Sequence, residues 1–123
     1  MQREAQEQTA LFNWAFYSKV KYPELDLMYH IPNGGSRNKI EAAHLKRQGV
    51  KSGVPDICLP VARGEWHGLY IEMKAGKNKP TENQKEWLLR LREQGYAAEV
   101  AVGWIQAKEL IEAYLNYDKE KRV

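Results

Sequence analysis

The chain of 123 residues has one cysteine, Cys58. A lone thiol cannot build an internal disulfide framework or a cysteine-based zinc cluster, and it points to a reducing, cytoplasmic setting. Long apolar runs are missing as well. The longest span a few residues, such as Ile57 to Leu59, far short of the ~20 needed to cross a bilayer. Met1-Gln2-Arg3-Glu4 lacks the apolar stretch of a secretory signal, so no membrane partner is expected. Repeats, low-complexity tracts and linkers are absent from the sequence. What is present is an ordinary globular mixture, 43% hydrophobic and 28% charged. That balance excludes extended disorder, and the length suits one domain over residues 1–123 with a single core.

Net charge is only +3, but its distribution says more than its total. Between Asn33 and Lys51 stand Arg37, Lys39, Lys46, Arg47 and Lys51 against Glu41 alone, a local net of +4. Lys74, Lys77 and Lys79 form a second cluster without an acid, whereas Lys108 to Arg122 carries four charges of each sign. Positive charge gathered mid-chain is what a polyanion-binding face requires. Two solvated loops and a solvated helix face would give the same counts.

Local patterning predicts a first helix from about Gln2 to Val20, with Leu11, Phe12, Ala15 and Phe16 inward and Pro23 as its stop. Leu27 to Ile31 reads as a short strand closed by Pro32-Asn33-Gly34-Gly35. Ser36 is placed to cap a second helix running to about Gln48, with Gly49 past its end. Gly53-Val54-Pro55 introduces a strand from Asp56 to Val61. The turn from Arg63 to Gly68 then makes Leu69 to Lys74 its antiparallel partner. Thr81-Glu82-Asn83-Gln84 has the pattern of a capping box, opening a third helix that ends at Gly95. Tyr96 to Val102 reads as a strand, and Trp104 to about Asn116 as a last helix with Ile105, Leu110, Ile111 and Leu115 inward. The order α-β-α-β-β-α-β-α describes an α/β fold, a small mixed β-sheet flanked by helices.

The chemistry-bearing residues are Asp56 and the group Glu72-Met73-Lys74. Alternation along a strand sends Glu72 and Lys74 to one side and Ile71 and Met73 to the other. Asp56 lies 16 residues before Glu72, a span one hairpin covers, so the two carboxylates can converge. Converging carboxylates repel, and a hard divalent cation such as Mg²⁺ with oxygen ligands resolves the repulsion. Water kept on such an ion becomes a nucleophile as its pKa falls, and a lysine beside it can orient it and offset charge on a phosphoryl oxygen. A metal-free cross-strand ion pair, with Lys74 bridging Asp56 and Glu72, is the alternative.

Gly53-Val54-Pro55-Asp56 followed by Ile71-Glu72-Met73-Lys74 resembles the PD-(D/E)xK nuclease signature. More narrowly, the chain resembles the virus-type replication-repair nuclease (VRR-NUC) domain, found in standalone phage and bacterial proteins. The likeness covers nearly the whole chain. Glu4-Ala5-Gln6-Glu7-Gln8, Ile31-Pro32-Asn33-Gly34-Gly35, Lys51-Ser52-Gly53-Val54-Pro55-Asp56 and Thr81-Glu82-Asn83-Gln84 match the family's motifs in order.

The resemblance implies a restriction-endonuclease-like core in which Asp56, Glu72 and the Met73 backbone carbonyl bind Mg²⁺ or Mn²⁺. It also implies that Lys74 serves the attacking water and that Glu4 and Gln84 complete the site, Glu4 through water. Periodicity separates the two acids of the first helix. At 100° per residue, Leu11, Phe12, Ala15 and Phe16 centre about 50° from Glu4 and about 110° from Glu7, so Glu4 faces the sheet, with Gln8 one turn on. Gln84 keeps two readings, site residue or closing member of the capping box. His30, His44 and His67 lie on different elements without metal spacing and read as surface or DNA-contacting residues. Trp14, Trp66, Trp87 and Trp104 read as core or interface side chains, with no base-stacking array among them.

DNA contacts are expected on the basic helix and the loops beside it: Asn33, Gly34, Gly35, Arg37, Lys39, Lys46, Arg47, Lys51 and Ser52. No pattern presents Arg or Asn for base edges, so shape is the expected target of recognition. The expected activity is a structure-selective endodeoxyribonuclease cutting branched DNA, resolving four-way (Holliday) junctions as a homodimer. Trp14, Phe16, Tyr17 and Trp66 are the surplus apolar side chains available for the dimer. Competing readings are a monomeric flap or nicking nuclease, a non-catalytic DNA-binding module, and a metal-free structural protein.

Overall fold

The computed structural model describes residues 2–32 and 38–117. Helix α1 (Gln2–Tyr17) is followed by a 3-10 turn (Pro23–Leu27), strand β1 (Tyr29–His30) and helix α2 (Lys39–Arg47). Then come β2 (Ile57–Leu59), β3 (Leu69–Lys74), α3 (Glu82–Glu93), β4 (Ala97–Val102) and α4 (Trp104–Asn116). The strands form one mixed sheet in the order β1-β2-β3-β4, antiparallel until β4 joins β3 in parallel. A parallel pair needs a crossover, and α3 supplies it.

One sheet face carries the core. Leu11 and Ala15 of α1 pack with Ile57, Leu59, Leu69, Ile71, Met73 and Ala101 of the sheet and with Ala107, Ile111 and Leu115 of α4. Helix α3 packs against β4 with Leu88 buried. Strand alternation sends Cys58, Tyr70, Glu72 and Lys74 to the side opposite Ile57, Leu69, Ile71 and Met73. The free edge of β4 is blunted locally: Arg92 Nε donates to the Ala98 carbonyl at 2.9 Å, and Gln106 Oε1 accepts from Val102 N–H at 2.8 Å.

Several boundaries differ from the sequence-based expectation. Helix α1 stops at Tyr17 rather than Val20, and the strand expected over Leu27 to Ile31 shrinks to two residues behind the 3-10 turn. The 3-10 turn takes up Leu27, and β2, only three residues long, offers β1 few further partners. Asn38, not Ser36, caps α2, with its Oδ1 accepting the Glu41 N–H at 2.8 Å. Ser36 lies outside the described residues. Phe16 and Ile105, expected inward, are 61% and 56% exposed. The buried stripe of α1 is the narrower pair Leu11 and Ala15, one turn apart, and Phe16 falls on its rim, edge-on to Tyr17. Ile105 sits in the first turn of α4, where Gln106 rather than Ile105 turns back to β4. Trp66 is not spare: it packs between Tyr114 and Tyr117. Trp14 likewise leans on the core.

Candidate functional site

The centre of the site follows from strand register. Ile57 pairs with Ile71, so one step further Asp56 stands opposite Glu72. Backbone polarity shows which kind of pair this is. Lys74 C=O accepts Gly103 N–H toward β4, and Asp56 C=O accepts Ile31 N–H toward β1. Asp56 and Glu72 therefore turn their backbone groups away from each other. They form a non-hydrogen-bonded pair, the kind in which opposed side chains come closest.

The next position explains the proline. Continuing the register sets Pro55 opposite Met73, and proline has no N–H to donate to the Met73 carbonyl. The Met73 N–H finds its partner in the Asp56 carboxylate, with Oδ2 at 2.7 Å. Asp56 is thus held from both sides, since its backbone carbonyl also accepts from Ile31 N–H at 2.7 Å and His30 Nδ1–H at 2.8 Å.

Electrostatically the pair is under load. Glu72 is 2% exposed and Lys74 is 7% exposed. Burial first, and then the neighbouring Asp56 carboxylate, push the Glu72 carboxyl up to about 8, with Lys74 pulling against both. Lys74 Nζ lies 3.6 Å from Glu72 Oε2, while Glu72 Oε1 is buried and, among the described residues, has no hydrogen-bond partner. An orphaned buried carboxylate oxygen is costly, and a cation beside it removes the cost. The available donors are the Asp56 and Glu72 carboxylates and the Met73 carbonyl. All are oxygen, which suits a hard divalent ion that keeps several waters. Among the described residues, no group of three His, Cys, Asp or Glu side chains is placed to hold an ion. The set therefore fits Mg²⁺ or Mn²⁺ only as a partly hydrated ion.

Helix α1 divides its two acids between different tasks. Glu4, Gln8, His30, Asp56 and Met73 line one cleft of about 220 Å³. Asn78 Nδ2 holds Glu4 Oε2 at 3.0 Å. Glu7 instead accepts the Trp104 N–H through Oε1 at 2.8 Å, at the start of α4. Gly103, the residue before that helix, has no side chain to cap it, and Glu7 takes over the task.

The structure gives Gln84 the capping role. Its Oε1 accepts Thr81 N–H at 2.9 Å, and its N–H donates to Thr81 Oγ1 at 3.1 Å. It is not among the residues lining the Glu4–Asp56 cleft. Lys39, Lys46 and Arg47 lie exposed on α2, which has no buried residue. Lys51 and Ser52 lie exposed in the loop toward β2, where Ser52 Oγ accepts from Asn83 Nδ2 at 2.9 Å. Asn33, Gly34, Gly35 and Arg37 lie outside the described residues. Sequence reasoning leaves His30 as a surface or DNA-contacting histidine and does not single out Asn78. Neither carries a local signal, since each enters the site only through register and loop packing.

Comparisons with known proteins agree with this fold. The family profile described as the VRR-NUC domain matches residues 2–104. A solved structure described as a VRR-NUC domain protein is 37% identical, with a TM-score of 0.79, covering 93% of this chain and 88% of its own. No curated protein matches the chain.

Proposed function

The chain belongs to the VRR-NUC domain family, which implies a nuclease-type function, and on that footing we propose that it hydrolyses phosphodiester bonds in DNA with Mg²⁺ or Mn²⁺. The observation that carries the reading is Glu72: buried, facing Asp56, with Oε1 unpartnered among the described residues and its carboxyl pushed up to about 8. Two opposed acids with a lysine beside them are costly to a fold and useful to a phosphoryl-transfer site.

Asp56, Glu72 and the Met73 carbonyl would hold the ion. Once bound, the ion supplies a water of lowered pKa and neutralises charge on the phosphate. The chain's own groups do the positioning. Met73 N–H fixes the Asp56 carboxylate at 2.7 Å. Lys74, buried within 3.6 Å of Glu72 Oε2, orients the attacking water and offsets charge growing on the phosphoryl oxygens. Glu4, steadied by Asn78, faces the same cleft and orders water there. Gln84 contributes by starting α3 at a fixed point. The basic helix α2, with Lys51 and Ser52, holds the DNA backbone.

The substrate in this reading is branched DNA, a four-way junction cut on opposed strands by an isologous homodimer. Phe16 and Tyr17, 61% and 81% exposed at the end of α1, are apolar surface available to a second copy. Labelled junction, flap, single-stranded and plain duplex DNA, incubated with Mg²⁺, Mn²⁺ or EDTA, test the activity. Sedimentation equilibrium tests the assembly. Paired symmetric cuts by a dimer are expected. A monomer that nicks one strand or prefers flaps would overturn the junction reading, and no cleavage of any DNA in either metal would overturn the nuclease.

A further inference from the structure

Between α3 and the loop leading into β2 lies a groove of about 460 Å³, separate from the Glu4–Asp56 cleft. That volume is within the range of small-ligand sites. Trp87 and Leu91 form its apolar wall, Lys51 and Arg90 bring two cations, and Glu86 is its one acid. Among the described residues neither Lys51 nor Arg90 has an ion-pair or side-chain hydrogen-bond partner. A partly exposed indole beside two unpaired cations has the composition that stacks a nucleobase and holds its phosphate. The amides of Asn83 and Gln94 on the same wall add donors and acceptors.

The groove is also tied to the acid pair. Gly53, at φ +89°, lies so close to α3 that a Cβ there would meet Asn83 Nδ2 at 2.6 Å and Trp87 Cδ1 at 2.8 Å. The loop therefore rests directly on the helix. Asp56 follows three residues later, which puts it within about 11 Å of Gly53 along the chain. A strand occupying the groove would reach the acids within a few nucleotides.

We propose that this groove binds one unpaired nucleotide of the DNA, its base on Trp87 and its phosphate between Lys51 and Arg90, so that the protein recognises a nucleotide splayed out of the duplex at the branch point next to the bond it cuts. The inference rests on the nuclease reading for its substrate class, but binding can be measured without cleavage. The probes are three fluorescein-labelled DNAs of equal length: oligothymidylate, blunt duplex, and duplex with a thymidine arm. Their affinities are read by anisotropy on the full chain in EDTA.

The wild-type protein should prefer oligothymidylate and the armed duplex over the blunt duplex. Trp87→Leu should weaken both preferred ligands by about tenfold, the loss of one base stack, with less than twofold change on blunt duplex. Trp87→Phe, which keeps a ring, should recover most of that loss and shows that the pocket still folds. Replacing Lys51 and Arg90 with Ala should lower the salt slope on oligothymidylate by about 0.7 for each phosphate no longer neutralised.

No wild-type preference for unpaired DNA, or an equal loss on all three DNAs in Trp87→Leu, would overturn the proposal. So would a change of sedimentation mass in Trp87→Leu, because the groove would then be an interface between copies. Failure of the nuclease reading shows separately, as absent cleavage in Mg²⁺ while the anisotropy pattern stands.

Discussion

The Asp56 carboxylate accepts the backbone N–H of Met73 at 2.7 Å, although Asp56 stands just before β2 and Met73 lies 17 residues on in β3. Pro55 stands where a ladder partner of Met73 would be, so the side chain of Asp56 closes the end of the sheet and leaves the Met73 carbonyl without a ladder donor. The bond aims the Asp56 carboxylate, and the proline withholds a donor from the Met73 carbonyl. Asp56→Asn and Glu72→Gln should each abolish Mg²⁺-dependent cleavage, and the folded state should survive both, as circular dichroism and DNA binding in EDTA would show. Cleavage at the wild-type rate by either variant would remove that residue from the site.

Lys74→Ala should lower turnover by roughly two to four orders of magnitude, the range for losing a positioned acid–base or charge-stabilising group. The ligands proposed for the ion are oxygens, so Mn²⁺ binding, measured by calorimetry, should persist. If binding is lost instead, Lys74 acts through its ion pair with Glu72 rather than on the reaction.

Glu72 makes the stability of the metal-free protein depend on pH. Its carboxyl titrates near 8 in the folded chain, against about 4.5 when unfolded, so the folded state holds the extra proton between those values. The stabilisation is complete below pH 4.5 and declines as pH rises through 8. Thermal unfolding in EDTA between pH 5 and 9 should show the midpoint falling across that window. Glu72→Gln should flatten this component, because an amide does not titrate, and Mg²⁺ should raise the midpoint more at pH 9 than at pH 5. A midpoint that rises with pH equally in the wild-type protein and Glu72→Gln would contradict the assignment.

The two acids of α1 should separate by measurement. Glu7→Ala removes the partner of Trp104 N–H and should cost about 0.5–2 kcal/mol, typical of a lost helix cap, seen as a lower denaturation midpoint. Glu4→Ala should leave that midpoint nearly unchanged while reducing cleavage. The reverse pattern would exchange the two assignments.

Lys46→Ala with Arg47→Ala on exposed α2 should weaken binding to every duplex and lower the log–log salt slope by about 0.9 for each phosphate no longer neutralised. An unchanged slope would take these side chains out of the DNA interface.

Much of the fold was legible locally. The Thr81 capping box, the Gly49 and Gly95 helix stops, the alternation over Leu69–Lys74 and the helix Trp104–Asn116 each depend on chemistry within a few residues. The helical wheel that turns Glu4 toward the sheet is local in the same way. Weaker patterns failed where packing overrode them. Phe16 has a core residue's spacing, yet the buried stripe of α1 is only as wide as Leu11 and Ala15.

The residue types of the site, two acids and a lysine spaced for one hairpin, are written in the chain, and so is the alternation that puts Glu72 and Lys74 together. Only the tertiary structure settles that Asp56 meets Glu72 as a non-hydrogen-bonded pair, because register depends on where β2 ends and which strand lies beyond it. It alone sends Glu7 to a helix 97 residues away, brings His30 onto the Asp56 carbonyl, and lays Gly53 against Trp87. Such contacts join groups far apart in sequence. Local periodicity says which face a side chain takes, but only the packed fold decides what stands opposite that face.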